Sequence, residues 1–240
     1  MTGCLEWKKI KRTGFLPAFF GGGLLAACVP VLNTAVRREV FLQLEGTPLK
    51  ILLDANWQMM AMLNILLIVA GACLLYHTEF ADNAIQKMCT LPLRESRMFS
   101  GKFLLMCGAC LGMLVIEGMG VGFSALHWFS GGQKSLPEAA KSLGYAFVLL
   151  LPAILLALFI ASACKNMWIS LGIGVICVFI ASMLPTDNFM LSLFPFAIPF
   201  QFLAGTGETL AQKYLMAAAA ESIIVLAAEI LFLKVRRLFA

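Results

Sequence analysis

Apolar and polar positions along this chain do not alternate singly; they fall into long blocks. Six apolar blocks stand out: Phe15 to Leu32, Met59 to Leu75, Phe103 to Leu126, Leu143 to Cys164, Met167 to Leu184 and Leu215 to Leu233. Each is close to the about 20 residues that a helix needs to cross the hydrocarbon core of a bilayer. The two-residue period of a barrel strand is absent, and an isolated segment can satisfy its own backbone in lipid only as a helix. The pattern predicts an all-α membrane protein, one transmembrane domain over residues 1–240 with six transmembrane helices. An even number of crossings puts both termini on one side.

Composition agrees with the pattern. Hydrophobic residues make up 61% of the chain and charged residues 13%, and the mean hydropathy is +0.90, whereas a soluble domain is close to half apolar and about a quarter charged. Lys and Arg fix the orientation. With a cytoplasmic N-terminus, twelve of the eighteen lie inside, among them Lys8, Lys9, Lys11, Arg12, Lys87, Arg94 and Lys102, and six lie outside. The excess predicts N and C termini in the cytoplasm. Orientation then accounts for the net charge of +5, with no nucleic-acid footprint required. Leu25-Ala26-Ala27-Cys28 looks like a lipoprotein cleavage box, but the apolar run continues through Leu32, which reads as an uncleaved first span.

Two stretches break the apolar pattern. The first, Tyr76 to Lys102, is the first cytoplasmic loop. Within it Phe80, Ala84 and Met88 recur at a spacing of four while Glu79, Asp82, Asn83 and Lys87 fall elsewhere on the wheel, predicting a short amphipathic helix over about 79–90 that Pro92 ends. Periodicity alone does not separate a docking helix from one lying flat on the membrane surface. In the second stretch, Pro185, Pro195 and Pro199 argue against a continuous spanning helix, while Phe189, Phe194, Phe196, Phe200 and Phe202 need lipid or protein cover.

Ionisable residues at bilayer depth are candidates for function. Glu117 in the third block and Glu221 in the sixth both fall about 4–5 Å to the outer side of their span centres, where they face one another, share a cavity, or are each protonated and hydrogen-bonded in the bundle. Glu229 lies near Lys234 and Arg236 and reads as structural, and Asn64 as an interhelical hydrogen-bonding residue. Gly108 and Gly112, then Gly118 and Gly122, form small-residue faces that suit close helix packing, within the chain or across a dimer. The CxxC of Cys107 and Cys110 has no His or carboxylate in register and reads as packing, so no metal site is predicted.

An intramembrane enzyme is the competing class. Ser124 and His127 share a helix face, but no GxSxG elbow surrounds the serine and no HExxH occurs. No catalytic residue is predicted. A phosphate-binding GxxxxGK(S/T) is also missing, so the chain is expected to bind no cofactor of its own and any ATP and Mg to sit on a separate chain.

Glu79, Leu91-Pro92, Arg94 and Lys102 resemble the first cytoplasmic loop of ABC-2 type permeases. The N-terminal Glu6-Trp7-Lys8-Lys9-Ile10-Lys11-Arg12 is similar to the E-x-x-K-x-K-R start of permeases in lantibiotic immunity ABC transporters of the nisin, subtilin and epidermin type, and Trp57 ahead of the second block also fits. The resemblance implies a dimer of six-span permeases, each docking the first cytoplasmic loop as a coupling helix into a separate ABC ATPase that binds ATP and Mg. It implies a second, similar but distinct permease as partner, and a site in the bacterial plasma membrane. For residues about 187–204 it implies a re-entrant segment beside an exit gate, an aromatic interfacial lid being the alternative. Glu79, Phe80, Asp82, Asn83, Lys87, Leu91, Pro92 and Arg94 would then contact the ATPase. A peptide substrate would leave past Glu117, Glu221, Phe194, Phe196 and Phe200. The expected function is ATP-driven export of a lantibiotic or similar antimicrobial peptide; a permease for a drug or a lipid-linked glycan shares every feature except the N-terminal signature.

Overall fold

The computed structural model describes residues 13–81, 95–129, 136–164, 166–185 and 188–239. Among them all regular structure is helical: α1 (Phe15–Val36), α2 (Arg38–Gln43), α3 (Pro48–Ala81), α4 (Glu95–Trp128), α5 (Leu136–Ala163), α6 (Met167–Met183), α7 (Phe189–Ser192) and α8 (Glu208–Phe239), with single 3-10 turns at Ile198–Phe200 and Leu203–Gly205.

Five helices, α1, α3, α4, α5 and α8, have both the length and the apolarity to cross a membrane. The sixth expected crossing, α6, is shorter at 17 residues, about 26 Å at 1.5 Å per residue against a core of about 30 Å. Its limits are set locally. Asn166 caps the N-terminus, its side-chain oxygen accepting from the Trp168 backbone N–H at 2.9 Å, and Leu184 is already extended ahead of Pro185.

The other apolar blocks are the middles of longer helices. α3 begins at Pro48, eleven residues before the block at Met59, where Thr47 precedes a proline preset for the first helical turn. The polar passage expected from Tyr76 likewise shrinks, because α3 runs on to Ala81 and α4 starts at Glu95. Most of the stretch between the first two apolar blocks is also helical, with Gly46 (φ 150°) making the turn between α2 and α3.

Helices α3 and α5 form the centre of the bundle: 56% and 61% of their most apolar stretches are buried, against 33% for α1 and α4 and 11% for α8. α3 touches α1, α4, α5 and α6, and α8 leans chiefly on α5. The most extensive pairing is α1 with α4, and small residues permit it. A Cβ placed on Gly120 would lie 2.7 Å from the Ala27 carbonyl oxygen and 3.0 Å from its Cα. Gly120 therefore packs within the chain, and of the glycines marked by spacing Gly118 does too, against Leu143, whereas Gly108 faces open space. Pro30 and Pro152 sit inside α1 and α5, and the Thr34 hydroxyl donates to the Pro30 carbonyl at 2.7 Å.

From Phe189 to Gly205 the chain makes one helical turn and two 3-10 turns, in keeping with its prolines. Its Phe196–Gln201 part is packed inward, whereas Met190 and Leu191 are exposed. Phe196, Ile198 and Phe200 are buried and the 3-10 turns rest on α3 and α5.

Candidate functional site

Glu117 lies about two-thirds of the way along α4 on the face turned to α3, and is 1% exposed. Asn64 of α3 meets it there, its Nδ2 donating to Glu117 Oε2 at 3.0 Å. The pair is incompletely satisfied. Asn64 Oδ1 and Glu117 Oε1 are both buried without a hydrogen-bond partner, an arrangement that is costly for an ionised carboxylate and that a proton on Oε1, donated to Asn64 Oδ1, would relieve.

Glu117 also reaches the wall of a narrow cavity between α3, α4 and α5. Leu53, Trp57 and Met60 of α3 form one side, Ser142 and Leu143 of α5 another, and Phe202 closes it from the proline-rich segment. Its interior holds about 20 Å³ of space for a water-sized occupant, enough for about one water molecule. Trp57 anchors the proline-rich segment: its indole Nε1–H donates to the Pro199 carbonyl at 3.1 Å, across 142 residues of sequence. Near the same end of the bundle, Asn33 Nδ2 of α1 donates to Asn56 Oδ1 of α3 at 2.7 Å, and Asn56 Nδ2 in turn to the Leu52 carbonyl at 2.8 Å.

Glu221, the other candidate carboxylate, is half-buried on α8, with Oε2 lacking a hydrogen-bond partner. It does not line the Glu117 cavity. Among the phenylalanines, Phe196 and Phe200 are buried, Phe194 is half-buried and lies edge-on to Phe196 with centroids 5.9 Å apart, and Phe202 is the ring that reaches the cavity. Glu229 is fully buried and accepts from the Ser162 hydroxyl at 3.2 Å.

At the far end of α3 and α4, Lys102 is buried with its Nζ 4.7 Å from the centroid of the Tyr76 ring, a cation–π contact that ties the roots of the two helices. Glu79 and Phe80 belong to the last turn of α3. Asp82, Asn83, Lys87, Leu91, Pro92 and Arg94 lie outside the described residues, as does the Glu6 to Arg12 signature. The two helices that flank this passage are long. Each has 34 residues, about 51 Å, well beyond a hydrocarbon core of about 30 Å.

A family model described as "ABC-2 family transporter protein" matches residues 4–181, well over half of the chain. The chain belongs to the ABC-2 transporter family. Comparison with curated proteins and with solved structures gives no match. Membership makes this ABC-2 chain a multi-pass membrane component of a transporter rather than a catalytic subunit, with ABC ATPase subunits as the implied partners. The matched region contains the Asn64–Glu117 pair and the passage from Glu79 to Lys102; the proline-rich lid and α8 lie beyond it.

Proposed function

We propose that this ABC-2 chain is the permease subunit of an ATP-driven exporter that removes a lantibiotic or similar antimicrobial peptide from the plasma membrane of a bacterium. The ABC-2 family match carries the permease reading, and the E-x-x-K-x-K-R start supports the peptide. In this reading α6 is the sixth crossing and both termini are cytoplasmic. A similar but distinct permease completes a heterodimer, and the partner ATPases hold ATP and Mg.

The residues divide the work along the bundle axis. Glu79, Phe80, Asp82, Asn83, Lys87, Leu91, Pro92 and Arg94 form the coupling element, between α3 and α4 in the chain. ATPase closure pushes on this element, and the two helices transmit the motion to the opposite end. There Glu117 and Glu221 offer carboxylates to a cationic peptide, and the lid of Phe194, Phe196 and Phe200 parts to release it. The burial of Phe196 and Phe200 supports a closed exit in this reading.

Two measurements test the reading. Mass spectrometry of what co-purifies with the tagged chain from native membranes is expected to find a Walker-motif ATPase and a second permease; absence of any ATPase defeats the proposal. Glu79→Ala is expected to leave the amount of permease in the membrane unchanged while abolishing peptide resistance. Undiminished resistance in that variant removes Glu79 from the coupling element.

A further inference from the structure

Asn64 and Glu117 join α3 to α4 inside the bundle, each 1% exposed, through the bond from Nδ2 to Oε2. The second oxygen of each group, Asn64 Oδ1 and Glu117 Oε1, has no donor. Among the described residues no cation reaches the pair. Lys50 and Asp54 of α3 and Glu138 and Lys141 of α5 are exposed, α1 carries no charged residue, Glu221 of α8 stands outside the cavity, and Lys102 lies at the far end of α4. On α4 itself the neighbouring titratable group is Cys110, buried two turns back.

A carboxylate in this setting has nothing from which to accept, and an unpaired buried charge costs far more than the neutral acid. The neutral acid matches the amide. It presents one O–H donor and one carbonyl acceptor, and a primary amide presents N–H and carbonyl in the same arrangement. With Oε1–H donating to Asn64 Oδ1 and Asn64 Nδ2 donating to Oε2, two bonds close between the helices and both orphaned oxygens are satisfied.

We infer that Glu117 is a neutral carboxylic acid closed on Asn64 in a reciprocal two-bond latch between α3 and α4, and that its negative charge arises only when the latch opens. The free space of about 20 Å³ beside Glu117 holds about one water and is the outlet for the proton. When the pair parts, the Oε1–H bond breaks, its proton passes to a water there, and Glu117 keeps the electron pair as a carboxylate. The closed form then offers a substrate no charge at this position, and the open form offers one. Use of that carboxylate by a cationic peptide rests on the exporter reading; the latch does not.

Infrared spectroscopy of the full-length chain at neutral pH, in nanodiscs of phosphatidylcholine and phosphatidylglycerol, tests the latch. The wild-type minus Glu117→Gln difference is expected to contain the carbonyl stretch of a protonated carboxylic acid. That stretch is expected to shift in deuterium oxide and to move to higher frequency in Asn64→Ala, which removes the partner. Carboxylate bands in its place, or a stretch unmoved by Asn64→Ala, overturn the latch. Exchanging the two groups is a second readout. Asn64→Asp combined with Glu117→Gln swaps acid and amide between the helices at unchanged side-chain length, and both this swap and Glu117→Gln alone keep two complementary bonds. Both are expected to unfold thermally with the wild type, and Asn64→Ala earlier; early unfolding of the swap or of Glu117→Gln, or none in Asn64→Ala, overturns the reciprocal pair. Peptide resistance tests the charge. Glu117→Gln, latched but unable to ionise, is expected to lose resistance, and undiminished resistance overturns the charge clause while the infrared result holds. Absence of an ATPase from the co-purification defeats the exporter reading and leaves the latch standing.

Discussion

Gly120→Ala is expected to destabilise the folded bundle by about 1–3 kcal/mol, the usual cost of forcing an extra methyl into a packed interface. The added Cβ would meet the Ala27 carbonyl oxygen at 2.7 Å and the Ala27 Cβ at 2.9 Å. The first of these is backbone and cannot rotate away, so α1 must move off α4 along their shared face. Gly120→Leu is expected to prevent accumulation of folded protein in the membrane. Gly108→Ala supplies the control on the same helix. Nothing lies within 4 Å of a Cβ there, and losing glycine's extra backbone freedom favours the helix by about 0.5–1 kcal/mol. Unfolding of both alanine variants in mixed detergent, followed by circular dichroism, should move in opposite directions; parallel shifts would contradict the α1–α4 contact.

Trp57→Ala carries the largest expected effect, a loss of about 3–5 kcal/mol typical of deleting a buried aromatic side chain. The indole is 7% exposed, belongs to the main hydrophobic core and holds the lid by its bond to Pro199. Trp57→Phe separates the two contributions, since it keeps most of the apolar contact and gives up a hydrogen bond worth about 0.5–1.5 kcal/mol. Thermal unfolding is expected to rank the variants wild type, Phe, Ala. Limited proteolysis should show the segment around Phe189 to Gly205 cut faster in both. If Trp57→Phe is as damaging as Trp57→Ala, the polar anchor rather than packing governs this corner.

The bundle was largely legible as blocks, because a span must be apolar all along its lipid-contacting length, and hydropathy reports that condition directly. Helix ends were less so. Hydropathy marks where lipid is tolerated and not where helical hydrogen bonding stops, so α3 ran past its apolar block in both directions. One end had a readable local signal, Thr47 followed by Pro48 at the first helical position. Part of the candidate site could be read too: Glu117 stands out as a carboxylate in an apolar run. Its partner Asn64 was visible as a polar residue in a span but not as the partner, since the two are 53 positions apart and only the packing of α3 on α4 joins them. The Trp57–Pro199 bond, spanning 142 positions, left no local trace. Glu221 illustrates the converse limit, because similar calculated depth does not fix rotation about the helix axis.

The shortness of α6 has a consequence for the lipid around it. If α6 is the sixth crossing, as proposed, a helix about 4 Å shorter than the surrounding hydrocarbon either stands nearly upright or thins the bilayer beside it. Its neighbours α3 and α5 are long enough to tilt freely. Acyl-chain length therefore acts on this bundle unevenly: thick membranes strain the α6 side, and thin ones relieve it. On the proposed reading, in which α6 crosses the membrane and the proline-rich segment after it is part of the exit, membrane thickness would act on that exit through α6.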